Sequence, residues 1–493
     1  MDAGSPSLAG AAPIAPRPAR EVRVWDAEAD VVVAGYGCAG ASAAIAAREK
    51  DASVLVLERA SAGGGASAMA GGEIYLGGGT AIQKACGFDD TPEAMRAYLL
   101  AATGPGPNEA KIDVYCEQSV DHFDWLVRCG VVFKPTFYST PCWEPPTDDG
   151  LVYTGGENAW PFNEIAEPAP RGHVPQMQNK RPGDRSAGWM LMQSLSHMAE
   201  ASGAKVMADS RVSQLVVDDA GEVVGLIARE FGEERAVRAR QGVVLATGGF
   251  AANPEMVALY APRIAGQMPL GTDGDDGSSL RLGQGVGAAA AHLDAAQTAL
   301  PSNPPLVYPS ILVNDFGQRF INEDTYCGRI GQASIFQQQA RCSIVLDESI
   351  FESVPEVDRW GARPTWVCET VAELEAEMGL PDGSLQATVE LYNRHAQHGE
   401  DPVFHKRTEF LRPLKSPYGG IRLTGLPYAV FTLGGMVTTV NGEVVGPGGE
   451  PIPGLFAAGR ATSGIPSWGY ASGTSLGDGT FFGRRAGWAA AGR

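Results

Sequence analysis

Basic residues are scarce in this 493-residue chain: 38 Lys and Arg stand against 57 Asp and Glu, a net charge of −19. Proteins grip phosphate backbones with clustered Lys and Arg, so this balance argues against a nucleic-acid partner. An acidic surface otherwise speaks only to solubility. Paired cysteines are also missing. Cys38, Cys86, Cys116, Cys129, Cys142, Cys327, Cys342 and Cys368 include no C-x-x-C and no paired ligand spacing. That pattern argues against a disulfide frame, a zinc or iron–sulfur site, or any other metal centre, and reads as the reduced thiols of a cytoplasmic protein. No apolar run approaches the about 20 residues of a membrane span. Met1 to Arg20, rich in Ala, Pro, Gly and Ser, has no continuous apolar segment, so no signal peptide is expected. What the chain has in abundance is glycine, 63 residues in all, beside an ordinary hydrophobic content of 44%. Its length suits two or three domains.

The glycines are not scattered. Asp30 to Arg59 reads DVVVAGYGCAGASAAIAAREKDASVLVLER. Val31 to Val33 form a β-branched run typical of a buried parallel strand. Gly35, Gly37 and Gly40 follow in G-x-G-x-x-G spacing, then an alanine-rich helix over Ala41 to Arg48, and a second buried strand over Val54 to Leu57 ending at Glu58. In such a unit the first glycine permits a tight turn and the second lets the backbone approach a pyrophosphate. The third lets helix and strand pack closely. The helix N-terminus offers N–H groups to the phosphates, and an acid at the end of the second strand accepts from a ribose hydroxyl. A lone G-x-G-x-x-G is weak evidence, but strand, helix, strand and acid occur here in order, which points to nucleotide binding.

Ser61 to Gly79 forms a second glycine cluster, too rich in small residues for a helix core, and reads as backbone wrapped along the bound nucleotide. Helices are expected at Thr91 to Leu100, with Pro92 in the first turn, and at Ile112 to Leu126. Lys134 to Gly183 is rich in proline and aromatics and reads as an irregular excursion, either a lid or an apolar wall. Gly188 to Ser202 is helical, and Ala208 to Ala228 turns at Asp218 to Gly221 as a β-hairpin. Gln241 to Phe250 is a buried strand that runs into Thr247-Gly248-Gly249 and brings the chain back to the nucleotide. The glycines of Asp273 to Gly287 lack a preceding apolar strand, so no second nucleotide unit is expected there. Ala288 to about Pro427 is a mixed region that includes a helix at Ser384 to Gln397. Beyond it come a hairpin near Asn441-Gly442, a strand at Leu455 to Ala458, and a closing helix over Ser475 to Gly487.

Three of these motifs, with S-L-x-D-x-x-x-x-G at Ser475 to Gly483, resemble the fumarate reductase/succinate dehydrogenase flavoprotein superfamily: the N-terminal unit with Glu58, A-T-G-G at Ala246 to Gly249, and I-P-G-L-F-A-A-G at Ile452 to Gly459. The resemblance implies an α/β fold, with a Rossmann-type FAD-binding domain and an inserted α+β substrate or capping domain. The expected division is a flexible tail over 1–25, the FAD domain over 26–130, 185–285 and 428–493, and the capping domain over 131–184 and 286–427. FAD contacts carry over to Gly35, Gly37, Cys38, Ala39, Gly40, Glu58 and Arg59; to Gly65, Ala66, Ser67, Met69, Gly71 and Gly72; and to Val212, Thr247, Gly248, Gly249, Gly459, Arg460, Ser475 and Leu476.

Two departures exclude the best-known reaction of that superfamily. Val430-Phe431 precede Thr432-Leu433-Gly434-Gly435 where fumarate reductases carry a histidine. Gly469 to Leu476 (G-Y-A-S-G-T-S-L) lacks the arginine that clamps the substrate carboxylate, so a dicarboxylate is not favoured. Ser61 to Gly79 contains no histidine to attach FAD covalently, so noncovalent FAD is expected. Glu323-Asp324-Thr325-Tyr326 and Gly469 to Leu476 are similar to the 3-ketosteroid dehydrogenase branch, and specifically to 3-ketosteroid Δ4-(5α)-dehydrogenases. The Δ1-dehydrogenases of the same branch lack this Y-x-S.

The resemblance places catalysis on Tyr326, Tyr470 and Ser472, and the substrate class is a small apolar ketone, a 3-ketosteroid. Desaturation beside a ketone removes the α-hydrogen as a proton and the β-hydrogen as hydride. Tyr470 would donate to the developing enolate. Ser472 would take the proton with a relay partner, since serine alone is a poor base, and Tyr326 would be that partner. Trp468, Phe431, Ile465 and Tyr138 could line the pocket. A 3-ketosteroid Δ1-dehydrogenase, a 5α-reductase or other ene-reductase running towards the saturated product, a non-catalytic flavoprotein and an NAD-linked dehydrogenase remain alternatives. The external electron acceptor is not readable from the sequence.

Overall fold

A computed structural model describes residues 8–177 and 186–493. Its central strand, β1 (Ala27–Ala34), buries Val31, Val32 and Val33 completely, as a strand covered on both faces must. α1 (Cys38–Arg48) follows, and β2 (Val54–Leu57) lies parallel to β1, with Val31 opposite Val54 and Ala34 opposite Leu57. After α2 (Gly188–Ala201), β3 (Lys205–Met207) extends the sheet beyond β2. β4 (Ser210–Val217) and β5 (Val223–Glu230) form the expected hairpin, with Val217 opposite Val223.

β6 (Glu233–Leu245) starts eight residues before the expected strand. Glu233 to Arg238 pair antiparallel with β5, while Val237 to Ala239 and Gly242 to Leu245 pair parallel with β1, with a register break between Ala239 and Gly242. β7 (Pro451–Ala457) then lies parallel to the end of β6, with Leu455 opposite Val243. The parallel order is therefore β3-β2-β1-β6-β7.

The sheet's two faces have separate cores. Val31, Val33, Val54, Val56 and Val244 pack with α1, α2, the helices between 92 and 128, and the long last helix. Val32, Leu55, Val243 and Leu245 share a core with the region from Leu300 to Val430. That region holds an antiparallel sheet of Ile311–Asn314, Cys342–Asp347, Tyr418–Arg422 and Trp366–Cys368, beside the helix α3 (Cys327–Gln338) and others. The architecture is thus a Rossmann-type α/β unit carrying an inserted α+β region.

The last helix, α4 (Thr474–Ala491), lies tight against α1. A Cβ at Gly483 would overlap the Ala39 carbonyl, and one at Gly487 the Ala43 carbonyl. The third glycine of the motif works in the same way: a Cβ at Gly40 would overlap the Gly35 carbonyl.

Several expectations need correction. The described part of the tail is packed: Ala11 is buried, the Ile14 N–H donates to the Arg281 carbonyl, and Arg17–Pro18 pairs with Val216–Val217 at the sheet edge. Residues 1–7 lie outside the described residues. Helical order over 112–126 is split at Gln118 into Glu109–Glu117 and Ser119–Arg128. The Ser61 to Gly79 run contains a short helix, Gly65–Met69, and a strand, Ile74–Tyr75. The excursion from Lys134 contains the strands Phe137–Tyr138, Leu151–Val152 and Gly172–His173, which join Ile74–Tyr75 in one small sheet; residues 178–183 lie outside the described residues. No described helix is long and apolar enough to cross a membrane.

Candidate active site

The carboxyl ends of β1, β2, β6 and β7 open on one cavity of about 970 Å³, at the large end of ligand sites. Four turns form its floor: Gly35 to Ala39, Leu57 to Ala60, Ala246 to Gly248 and Ala458 to Arg460. Gly35 takes φ +99°, and a Cβ there would stand 2.5 Å from the Ala246 carbonyl oxygen, so the turn accepts only glycine. α1 starts at Gly37 and α4 at Gly473, N-cap glycines without a side chain; Ser67 Oγ accepts from the Cys38 N–H (3.1 Å), and both starts lie on the cavity wall. Their N-terminal dipoles favour an anion there.

Of the expected cofactor contacts, all line this cavity except Gly40 and Gly249. Gly40 sits behind the wall, where it lets α1 pack on the turn. Gly249 donates its N–H to Asp275 (3.1 Å), which also accepts two bonds from Arg460 (2.9 and 3.1 Å). Glu58 accepts from the backbone N–H groups of Tyr36 (2.8 Å) and Ala60 (2.9 Å), tying the first turn to the second. A carboxylate has about four lone-pair sites, so acceptor capacity remains. The glycine run at 273–287 builds no second nucleotide unit; Asp273, Gly274, Asp275 and Ser278 belong to this same wall.

Tyr326, just before α3, meets Tyr470 and Ser472, from the loop before α4, at one end of the cavity. The two tyrosine rings lie 6.3 Å apart; Phe431 packs edge-on to Tyr470 at 5.3 Å and Trp143 to Tyr326 at 5.6 Å. The Tyr470 hydroxyl accepts from the Ser475 N–H (3.2 Å) and the Tyr326 hydroxyl from Gln297 Nε2 (2.7 Å). Each phenol therefore keeps its own hydrogen to donate. Burial raises both phenol pKa values, and that of Tyr326 is raised far above the usual range, helped by Tyr470 and the nearby Glu73 charge. Both are donors at neutral pH. Ser472 stands beside Tyr326 and Glu73 on the same wall and favours the ionised form of each.

Glu73 and Gln297 are residues that sequence reasoning missed. Glu73 is 5% exposed on the cavity wall, and its carboxyl is pushed up to about 8, mainly by burial. Ser472 opposes that rise, while Glu144 and Glu157 add to it. The available signal was composition, because Glu73 is the single charged residue between Ser61 and Gly79. Gln297 sits 29 residues before Tyr326 and carries no motif. Of the four expected pocket residues, only Phe431 lines this cavity. Trp468 faces a neighbouring cavity of about 520 Å³ that shares Tyr326 and Tyr470, Ile465 is core, and Tyr138 packs against the Val152–Val174 cluster.

The FAD binding domain family matches residues 30–476. The chain is 55% identical to the 3-ketosteroid-Δ4-(5α)-dehydrogenase from Rhodococcus jostii RHA1, solved in complex with 4-androstene-3,17-dione. That superposition has a TM-score of 0.94 and covers 97% of this chain and 100% of that one. The chain is 28% identical over 504 residues to the 3-oxo-5-alpha-steroid 4-dehydrogenase of Comamonas testosteroni, covering 88% of this chain and 93% of that one. It is also 27% identical over 468 residues to a probable fumarate reductase of Shewanella frigidimarina, covering 93% and 74%.

Proposed function

This chain belongs to the FAD binding domain family, and from that membership we propose that it introduces the C4–C5 double bond into 3-keto-5α-steroids, with noncovalent FAD as oxidant. It is an FAD-dependent oxidoreductase acting on a CH–CH group. The cradle fits FAD: a turn closed to any Cβ at Gly35, an acid at Glu58, and two helix starts at glycine whose dipoles suit anionic or polarised groups. When bound, FAD accepts the β-hydrogen as hydride. Noncovalent attachment is supported by the loop beside the cavity, where Gly65, Ala66, Ser67 and Met69 line the wall and no histidine occurs.

The observation that carries the substrate class is the state of the cavity's cations. Arg59 and Arg211 are paired with Asp276, and Arg460 with Asp275. Among the described residues, none of the three is left to clamp a dicarboxylate. The reacting end instead offers two protonated phenols among Phe431, Trp143, Leu300 and Met268. Tyr470 donates to the ketone oxygen and strengthens that bond as enolate charge develops. Ser472 faces the α-carbon, and Gln297 fixes the direction of Tyr326. In this reading Tyr326 comes from the 286–427 segment, which caps the FAD-holding segments 26–130, 185–285 and 428–493; residues 131–184 contribute Trp143 to the same cap. A cytoplasmic location belongs to the same proposal, supported by described cysteines that are all unpaired.

Two measurements test it. Acid precipitation should leave the flavin in solution, and flavin retained in the pellet contradicts noncovalent binding. Anaerobic mixing with a saturated 5α-3-ketosteroid should bleach the flavin and yield the Δ4 product, while succinate should not. Bleaching by succinate alone removes the steroid reading, and a Δ1 product moves the double bond.

A further inference from the structure

Ser472 and the two tyrosines, taken alone, leave the abstracted proton without a destination. A serine is a weak base unless a partner takes its hydrogen, and both phenols are held protonated by burial. The described residues place one carboxyl beside Ser472 on the same wall, that of Glu73, whose backbone carbonyl lies against Gly473. It follows Gly71-Gly72 along the cavity wall, is almost fully buried, and its Oε2 has no hydrogen-bond partner among the described residues. The charged groups that face it are Glu144 and Glu157, with the Tyr326 phenol nearby, and among the described residues no cation compensates it. A buried carboxyl without a cation is costly to keep, and such groups concentrate where proton transfer occurs.

Resting on the steroid-desaturase reading above, we infer that Glu73 receives, through Ser472, the proton removed from the steroid α-carbon. Ser472 Oγ takes the α-proton while its own hydroxyl hydrogen passes to the Glu73 carboxylate. The electron pair of the broken α C–H bond stays on the substrate and becomes the new double bond as the β-hydrogen leaves with its pair to the oxidised flavin. Glu73 then releases its proton to solvent and the serine is restored. Glu73 acts through Ser472 and is therefore a positioning and relay residue; it need not touch the steroid.

The carboxyl must be ionised to accept, and it is held near pH 8. At pH 6 about one molecule in a hundred is therefore competent, and at pH 9 nearly all are. The test is the rate of anaerobic flavin reduction by a saturated 5α-3-ketosteroid between pH 6 and 9.5 in the holoenzyme. The wild type should show a rise of about 10² with a midpoint near 8. Glu73→Gln should bind FAD with an unchanged spectrum, show no rise, run about 10² slower at pH 9, and match the wild type within a few-fold at pH 6. Glu73→Asp should restore the rise. Independently of turnover, infrared titration without steroid should show a protonated-carboxyl band that disappears around pH 8 in the wild type and is missing from Glu73→Gln. A rise that persists in Glu73→Gln, or a loss of rate equal at every pH, overturns the inference while leaving the desaturase reading intact. A wild-type flavin that steroid never bleaches overturns the desaturase reading and this inference together.

Discussion

Tyr470 is held by a bond it accepts. The Ser475 N–H donates to its oxygen, so the phenol hydrogen is left to donate to another acceptor. Tyr470→Phe should therefore retain FAD and slow flavin reduction by about 10² to 10³, the usual effect of losing one donor to a developing oxyanion. An unchanged rate in stopped-flow mixing would return Tyr470 to simple loop packing. The residues gathered around Tyr326 and Tyr470 were legible to different degrees. Tyr326, Tyr470 and Ser472 stood out through short motifs that keep their neighbours in sequence. Glu73 and Gln297 reach the same point from segments that carry no pattern, and their partners lie far along the chain: Tyr326 is 29 residues from Gln297, and Ser472 comes from the opposite end of the sequence from Glu73. Local spacing cannot encode such contacts.

At the level of elements, α1 and α4 meet backbone to backbone through glycine. Gly483→Val would drive a branched side chain into the Ala39 carbonyl. Overpacking of this kind typically costs about 1–3 kcal/mol, and here it would also shift the N-terminus of α1, which forms part of the cavity wall. The expected outcome is a lower melting temperature together with weaker FAD retention on gel filtration, whereas an exposed-face control such as Arg394→Ala should change neither. The βαβ unit and the β4–β5 hairpin were readable because their apolar periods are local and long enough to count. The first half of β6 was hidden because Glu233 to Arg240 is mostly charged, with only Ala236, Val237 and Ala239 apolar, so no buried run stands out. The excursion's strands are two residues each, too short for a period of two to show.

Across the whole molecule, buried carboxyls pull the pH dependence of stability in opposite directions. Burial alone would raise the Glu323 carboxyl, but Arg319 and Lys406 hold it below its ordinary value of 4.5. Its contribution is present above pH 4.5 and lost as the pH falls below that value. Glu73 behaves in reverse. Its folded value of about 8 exceeds 4.5, so the folded state holds the extra proton and stability declines as pH rises from about 4.5 to 8. Melting temperatures of the FAD-free protein should fall on both sides, and Glu73→Gln should flatten the decline between pH 5 and 8 while leaving the acid side in place. A Glu73→Gln curve parallel to the wild type would refute the raised ionisation. The sheet also sets a schedule. β6 is flanked by β1 from the first residues and by β7 from the last, about 420 residues later. Ribosomes add about 5–20 residues per second, so the first half of the nucleotide cradle waits roughly 20–80 seconds for its closing strand and for α4. Apolar edges exposed that long invite chaperones before they meet a cofactor, and a ribosome-stalled chain ending before Pro451 should take up no flavin, while the released full chain should.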